Sequence, residues 1–406
     1  MARKRFSVPA TAKLGRSNAA ASRFDRADAD PLGLRRVLTQ ALHDLYGTKD
    51  VQDAITASYV WMADQIGHIT LGLVPTLLVC WLFASFHLPK ALEILLFMVS
   101  AGLIFSYWVY KEKTDYDDTK QRAQGIFPFD SADIVWNIKT ALLYFGIGGL
   151  FGLTAFVSPW LTLLALAAVL YPALRVAFWW LRRKVAFQQA GLPYLYRLAN
   201  FAGICDPTLI GPISTLANLK DRKVVFLDVL LGRDPVPDKL PGIRHMLVTG
   251  ALGAGKTSLA VGIGTEFAFA LGIGRYLTAA KLVQLATDAP GPAHELETGD
   301  GRLLWPWRET DLLIVDDVDA GATPPPGSTK PPAHLVEPAD MEAALDTAGG
   351  PPPLAFLAQK RTVWVLGDAS DVAGWKAAIA RLMDIKEDEI VDVALQGVGS
   401  AAPVVA

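Results

Sequence analysis

One eight-residue segment, residues 250–257, constrains the fold of this chain more than any other. It is GALGAGKT, and it matches the pattern G-x-x-x-x-G-K-[ST] at every fixed position. A short apolar run (246–248) precedes the segment, and a helix-like run (258–271) follows it. This order predicts a strand, a phosphate-binding loop and a helix. A chance glycine-rich turn explains the flanking runs poorly.

The chemistry of this loop indicates a nucleotide site. Glycines let successive backbone N–H groups converge on phosphate oxygens, and the following helix adds its positive N-terminal end. The Lys256 ammonium can reach the β- and γ-phosphates, and the Thr257 hydroxyl can bind Mg²⁺. The candidate nucleotide-binding residues are Gly250, Gly253, Ala254, Gly255, Lys256, Thr257 and Ser258.

A second segment supplies the carboxylates that such a site needs. Residues 311–319, DLLIVDDVD, form an apolar run that ends in acidic side chains. Asp316 is the candidate Mg²⁺ ligand together with Thr257, and Asp317 is the candidate for orienting the attacking water. A further apolar run (362–366) ends before Asp368, which it would present, with Ser370 as the alternative, towards the γ-phosphate. These runs alternate with helical ones, which predicts an α/β domain with a parallel sheet of about five strands.

With these residues in view, residues 243–396 resemble the AAA+ and STAND branches of the P-loop ATPases. The stretches GALGAGKTSLA, RYLTAAKLVQL and DLLIVDDVD are together most similar to helicase-loader and transposition-helper ATPases. The pair GxxGxGKTxLA and LLIVDDVD is also similar to NB-ARC switches of the STAND type. These motifs are specific for the superfamily and not for a branch. The resemblance implies ATP with Mg²⁺, and strand order 5-1-4-3-2.

The chain also departs from this family pattern. AAA+ hydrolases commonly carry Glu where this chain has Asp317, whose side chain is one methylene shorter, so we expect poorer positioning of water and slow turnover. We expect no helical lid after the last strand, which leaves a second sensor arginine missing or supplied from elsewhere. Arg381 is the candidate for reaching a neighbouring subunit's phosphate. An ordinary solvated helix arginine is an equally good interpretation.

Four long apolar runs, residues 66–86, 92–110, 141–157 and 161–181, precede this domain. The excess of hydrophobic residues in this chain, 52% of the total, is concentrated in these runs. About 20 helical residues at about 1.5 Å each cross a hydrocarbon core of about 30 Å. The runs predict a four-helix transmembrane region (66–181) embedded in a lipid bilayer. Buried soluble helices are the alternative, but four successive runs nearly free of charge argue against it.

Lysine and arginine flank these runs asymmetrically. The segment between runs two and three carries Lys111, Lys113, Lys120, Arg122 and Lys139, whereas the short loops on the other side offer only Lys90. The positive-inside rule therefore places both termini and the loop 111–139 in the cytoplasm, with a bacterial inner membrane as the expected location. The nucleotide domain would then lie on the side that holds the ATP pool.

The spans are interpreted as an anchor. The ionisable candidates within them (His68, Glu93 and Arg175) lie near span ends, which leaves a conducting role as the less favoured alternative. A face of small residues, comprising Gly146, Gly148, Gly149 and Gly152, suits close helix packing. We expect a homo-oligomer.

The remaining segments carry less information. We predict a disordered basic arm (1–30), a cytoplasmic helical segment (31–65), a junction (182–242) with a possible helix at 194–198, and a tail (397–406). In the helical segment, Leu34, Leu38, Leu42 and Leu45 share one face, which favours packing on another domain over a membrane surface. A Pro/Gly-rich insertion (320–360) is expected to be mobile and to face a protein partner. The formal net charge of −2 gives no indication of nucleic acid, and two distant cysteines indicate neither a disulfide framework nor a metal cluster.

These observations predict a membrane-anchored cytoplasmic P-loop ATPase. Binding or slow hydrolysis of Mg-ATP would drive conformational switching or assembly at the membrane. The alternatives are a nucleotide-sensing scaffold that does not hydrolyse ATP, and an energising subunit of a transporter. An ABC transporter signature (LSGGQ) and the N-K-x-D motif of GTPases are both missing after the loop.

Overall fold

The chain forms two regions of different architecture, a bundle of four long helices and an α/β domain. The computed structural model describes residues 32–34, 37–38, 58–122, 127, 131–201, 206–217, 243–287, 304–319, 337–345, 352–367 and 371–395. The predicted arm (1–30) and tail (397–406) lie outside these residues, as does most of the insertion 320–360.

The bundle consists of α1 (Ser58–Ala84), α2 (Lys90–Arg122), α3 (Ser131–Val157) and α4 (Pro159–Gln189). Within the described residues, each of the four contains a stretch long and apolar enough to cross a membrane: Ala63–Ala84, Lys90–Asp118, Val135–Val157 and Pro159–Gln189. The most apolar window of α3 is 39% buried, against 17% for α1, 11% for α2 and 6% for α4. The third helix is therefore the centre of the bundle, and the others present apolar surface outward.

Glycines bring α1 and α3 into backbone contact. A Cβ atom at Gly72 would lie 2.1 Å from the Phe145 carbonyl oxygen, and one at Gly148 would lie 2.0 Å from that of Ile69. A Cβ atom at Gly152 would lie 2.9 Å from the Thr76 Cβ. The small-residue face of α3 is thus used inside the chain, and it gives no support to the expected contact with a second copy.

In the part of the α/β domain that the structure describes, five parallel strands lie in the order β2-β3-β4-β1-β5. Counted from the other edge, this is the order 5-1-4-3-2 that the family resemblance implied. The strands are β1 (His245–Gly250), β2 (Gly274–Thr278), β3 (Leu312–Asp316), β4 (Arg361–Val365) and β5 (Ile390–Leu395). The helices are α5 (Ile210–Leu216), α6 (Lys256–Phe269), α7 (Ala279–Thr287), α8 (Pro338–Leu345) and α9 (Val372–Met383).

Alternate residues of the strands bury opposite faces of the sheet, as the pleat requires. Along β3, Leu313 and Val315 join a core that includes Trp364, Trp375 and residues of α7, α8 and α9. Leu312 and Ile314 join a second core with residues of α5 and α6. Helices therefore cover both faces, which accounts for strands that are apolar throughout rather than alternating.

The possible helix at 194–198 is wrong, and the N-terminal helical segment buries a different face from the one expected. Residues 194–197 are not helical, and only Leu198–Asn200 forms a 3₁₀ turn. Gly191 has φ 66° and Pro193 follows it, so the chain leaves the helical conformation before this stretch. In the N-terminal segment, Leu34 and Leu38 are 60% and 47% exposed, and Leu32 and Val37 are buried instead. Leu42 and Leu45 lie outside the described residues.

The last bundle helix continues into the α/β domain without a break. Val185, Ala186 and Ala190 pack with Trp305 and with Ala268 at the end of α6. The Arg183 Nε donates to the Phe269 carbonyl oxygen at 3.0 Å. Its guanidinium lies 4.6 Å from the centre of the Trp179 ring and 4.7 Å from that of Phe269. The junction predicted to start at residue 182 is therefore, over its first part, a packed extension of α4.

Candidate functional site

The loop between β1 and α6 depends on three glycines with positive φ. Gly250, Gly253 and Gly255 have φ 139°, 78° and 88°, a region that side chains strongly disfavour. A Cβ atom at Gly250 would also lie 2.3 Å from the Leu395 carbonyl oxygen of β5. Helix α6 begins directly after Gly255, whose position at the N-cap provides no side-chain cap. The first N–H groups of α6 are therefore not capped by a side chain of that residue.

Lys256 lies against this loop. The residue is 8% exposed, and its Nζ donates to the carbonyl oxygens of Gly250 and Ala251 at 2.6 and 3.0 Å. Thr257 and Ser258 follow in the first turn of α6, and the Ser258 Oγ lies 3.2 Å from the Tyr194 hydroxyl. Ala254 is buried, whereas Leu252 at the tip of the loop is 86% exposed. The seven residues predicted to bind nucleotide thus form one loop and one helix start.

Asp316 is the last residue of β3, and it lies at the C-terminal end of the strands, as does the loop after β1. The strands are parallel, so the ends of β1 and β3 lie on one side, with β4 between them. Asp316 is 2% exposed, and its Oδ2 accepts from the Tyr276 hydroxyl at 2.7 Å. Its Oδ1 accepts from the Asp317 N–H at 2.9 Å. Both of these donors are neutral, so they stabilise a buried carboxylate by hydrogen bonding without neutralising its charge, which a cation would do.

Two neighbours of Asp316, Tyr276 and Asp317, have pKa values above their ordinary values. Burial, with the hydrogen bond to Asp316 second, holds the pKa of Tyr276 well above its ordinary value, so the phenol stays a donor. Partial desolvation raises the pKa of Asp317 although the residue remains exposed, and the charges of Asp316 and Asp319 raise it further. Asp317 is exposed and has φ 53°. The predicted metal and water-orienting carboxylates are therefore adjacent acids that repel each other.

The Asp–Thr pair suits magnesium better than a metal that needs a full protein cage. Among the described residues no group of three or more His, Cys, Asp or Glu side chains could hold a metal ion. Mg²⁺ is commonly bound through one or two carboxylates with water and substrate phosphates completing the shell. The predicted ligands Thr257 and Asp316 are of the residue types that occur in that kind of site.

The remaining predicted site residues are less well placed. Asp368 and its alternative Ser370 lie outside the described residues. Gly367 just before them donates its N–H to the Asp319 carboxylate, which ties the end of β4 to the loop after β3. Arg381 is exposed, and its Nη2 lies 2.7 Å from the Glu342 Oε1 of α8. Because α9 leads into the start of β5, Arg381 lies towards the N-terminal ends of the strands, whereas Lys256 lies at their C-terminal ends. Its role towards a neighbouring subunit stays a prediction.

Sequence reasoning missed Tyr276 and Phe201. Tyr276 lies in the stretch RYLTAAKLVQL, where nothing in the pattern marks its hydroxyl as a partner of Asp316. Phe201 is buried, and it lies beside the loop: a Cβ atom at Gly255 would be 3.4 Å from its ring. Its ring centre lies 6.1 Å from that of Phe127, a residue between α2 and α3. No sequence signal could have placed that aromatic pair next to the loop.

No protein-family model matches this chain, and no curated protein matches it either. The functional assignment therefore depends on the residues and geometry described above.

Proposed function

We propose that this chain is a membrane-anchored P-loop ATPase that binds Mg-ATP and couples binding or slow hydrolysis to a conformational change at the membrane. One observation carries the proposal. A loop with three positive-φ glycines joins β1 to α6 and holds Lys256, at the sheet edge where β3 ends in the buried Asp316. The motif predicts this juxtaposition, and the geometry described above supports it.

Each residue has a definable role in this proposal. The two carbonyl contacts of the Lys256 ammonium would be exchanged for β- and γ-phosphate oxygens. Mg²⁺, held by Thr257 and Asp316, would neutralise developing phosphate charge. Asp317 would orient the attacking water from its exposed position next to Asp316. The AAA+ or STAND type of the site is an expectation from the resemblance of residues 243–396.

The four long apolar helices support the membrane part of the proposal. The flanking charges favour cytoplasmic termini and a bacterial inner membrane. Coupling is supported by α4, because its last turns pack on α6, the helix that carries Lys256. A ligand that moved α6 would act directly on the end of the last span.

One observation favours a second candidate, a nucleotide sensor that does not hydrolyse ATP. Asp317 replaces the longer glutamate of AAA+ hydrolases, and its main chain takes a left-handed conformation. A side chain one methylene shorter than glutamate holds its carboxylate farther from a water molecule that must attack the phosphate.

The test is nucleotide binding and turnover by the detergent-purified full-length protein. We expect Mg-ATP binding with slow turnover by the wild type. Losing the charged hydrogen bonds of one ammonium costs about 1.5–3 kcal/mol, so Lys256→Ala should bind about 10- to 100-fold more weakly. Lys281→Ala is the matched control, since that exposed lysine contacts Gln284 on α7. Tight binding without turnover would select the sensor, and no binding by the wild type would refute both candidates.

A further inference from the structure

Tyr276 makes two hydrogen bonds in different directions from β2, an edge strand of the sheet. Its main-chain N–H donates to the Ala190 carbonyl oxygen at 2.8 Å, and Ala190 is the C-cap of α4. Its hydroxyl donates to the Asp316 Oδ2 at 2.7 Å. One residue therefore connects the end of the last membrane-length helix with the predicted metal carboxylate.

At the α4 end, hydrogen bonds from Trp305 hold the last turn of the helix. The Gln189 carbonyl oxygen accepts from the Trp305 N–H at 2.9 Å, and the Trp305 indole donates to the Ala186 carbonyl oxygen at 3.4 Å. Trp305 and Ala190 are both 2% exposed. The C-terminal turn of α4 thus supplies main-chain acceptors to Trp305 and, through Ala190, one acceptor to the edge strand β2.

The connection is equally defined at the carboxylate end. Asp316 pairs in register with Thr278, so Tyr276 lies two residues earlier on the same face of the sheet. The phenol must extend along the strand to reach Asp316, and it packs against the core around α6 as it does so. Since the Asp317 N–H fixes the other oxygen, the carboxylate orientation depends on one side-chain donor and one main-chain donor.

We propose that Tyr276 is a positioning residue that orients Asp316 for Mg²⁺ and transmits occupancy of the site to the end of α4. The inference rests on the proposed function and adds a route to it. Hydrogen-bond partners of metal ligands fix the ligand's orientation, and their loss typically costs about 10- to 100-fold in metal affinity or activity. A carboxylate that shifts on binding Mg²⁺ would pull Tyr276, whose main chain is bonded to Ala190.

Tyr276→Phe tests this inference, because it keeps the packed ring and removes the hydroxyl. Tyr196→Phe is the matched control: Tyr196 packs against the same core, and its hydroxyl donates to the Asn200 carbonyl oxygen at 3.0 Å, away from Asp316. Two quantities are measured on the detergent-purified full chain. One is ATP affinity with excess Mg²⁺ and with EDTA, and the other is amide hydrogen exchange of residues 183–190 with and without Mg-ATP.

We expect Tyr276→Phe to bind Mg-ATP about tenfold more weakly than the wild type, with unchanged affinity in EDTA. The Mg-ATP-dependent change in exchange at the end of α4 should be present in the wild type and in Tyr196→Phe and lost in Tyr276→Phe. The inference would be overturned, with the proposed function intact, if ATP binding by Tyr276→Phe depended on Mg²⁺ as it does in the wild type. It would also be overturned if Tyr276→Phe lost that dependence while Mg-ATP still changed hydrogen exchange at the end of α4. Failure of the wild type to bind nucleotide would overturn the proposed function as well.

Discussion

Three features of Asp317 bear on its role in the candidate site. It follows a fully buried strand, its main chain has φ 53°, and its carboxyl lies beside that of Asp316. Asp tolerates the left-handed region better than most residues, whereas Glu offers no such local hydrogen bonding. The backbone at this point therefore accommodates Asp more readily than the Glu of AAA+ hydrolases.

Replacing Asp317 by Asn should separate stability from turnover. Burial and the neighbouring acids raise the pKa of Asp317, so its ionised form destabilises the fold above the ordinary carboxyl pKa. At pH 7 we expect Asp317→Asn to raise the Tm of the nucleotide-free protein, to keep Mg-ATP binding, and to abolish turnover. Thermal unfolding and phosphate release measure these effects, with the exposed Asp388→Asn as the control. A lower Tm, or turnover equal to that of the wild type, would contradict the assigned role.

His245 should make the α/β domain sensitive to acid. It is 1% exposed at the start of β1, with its Nδ1 3.0 Å from the Thr362 Oγ1. Burial lowers its pKa, so the unfolded chain binds a proton more readily than the folded one. The sign follows: stability is lost as pH falls below about 6.5, the ordinary histidine pKa.

We therefore expect the Tm of the wild type to fall between pH 7 and pH 5 more steeply than that of His245→Gln. The variant should be less stable at pH 7.5, because it disturbs a buried hydrogen bond. Thermal unfolding across this pH range measures the difference. Parallel pH profiles for the two proteins would show that the histidine does not contribute.

The residues that follow a spaced motif were predictable from the sequence, and their partners were not. Gly250, Gly255 and Lys256 are fixed by the chain's own spacing, since a tight loop between a strand and a helix leaves few conformations. Tyr276 and Phe201 reach the same region from distant parts of the chain. Their placement depends on sheet order and helix docking, which local spacing does not encode.

Among the elements, the contact between α1 and α3 gives the clearest stability prediction. A methyl group at Gly148 would lie 2.0 Å from the Ile69 carbonyl oxygen, so Gly148→Ala must push the two helices apart. Overpacking of this kind costs about 1–3 kcal/mol. Gly146→Ala is the matched control in the same helix, because its methyl group would lie 3.5 Å from the Phe105 ring, an ordinary contact.

The buried thiol of Cys80 reports the unfolding of α1 in this experiment. It is fully buried, so a thiol-reactive dye should label it only on unfolding, in a Cys205→Ser background. We expect the labelling midpoint to fall for Gly148→Ala and to stay near the wild-type value for Gly146→Ala. Equal midpoints for the two variants would show that the helices do not meet at Gly148.

Elements with a strong local pattern were predicted well, and their junctions were not. The predicted apolar runs 246–248, 311–319 and 362–366 coincide with β1, β3 and β4 to within a few residues, since each is an apolar pattern between clear turn signals. The end of α4 was misplaced because Arg182, Arg183 and Lys184 resemble the charged flank of a span. They are buried in the contact with the α/β domain, and that contact is a tertiary effect.

At the scale of the whole molecule, α6 sets the distance between the candidate site and the bundle. It begins at Lys256 and ends at Phe269, which Arg183 of α4 contacts. Its 14 residues at about 1.5 Å each span about 20 Å. The start of α6 at the candidate site and its contact with α4 thus lie at opposite ends of one helix. In the last turn of this helix, the buried Glu266 accepts from the Arg197 Nε at 2.7 Å, which fixes the chain after α4 to α6.

The proposed membrane topology places the α1–α2 turn and the α/β domain on opposite sides of the bilayer. Four spans and the asymmetry of the flanking lysines and arginines both require it. Ser85 is exposed in that turn, and Asp388 is exposed on the α/β domain just before β5. Each can carry a single reporter cysteine in a chain whose own cysteines are replaced (Cys80→Ala and Cys205→Ala).

A membrane-impermeant maleimide applied to intact bacteria should label Ser85→Cys and leave Asp388→Cys unlabelled until the cells are permeabilised. The cysteine-free chain is the control for background labelling, and total labelling after permeabilisation controls for expression. The reverse pattern would place the α/β domain away from the ATP pool and refute the proposed function at this scale. Labelling of both positions in intact cells would instead contradict the four-span arrangement, because an even number of crossings between the two reporters leaves them on one side.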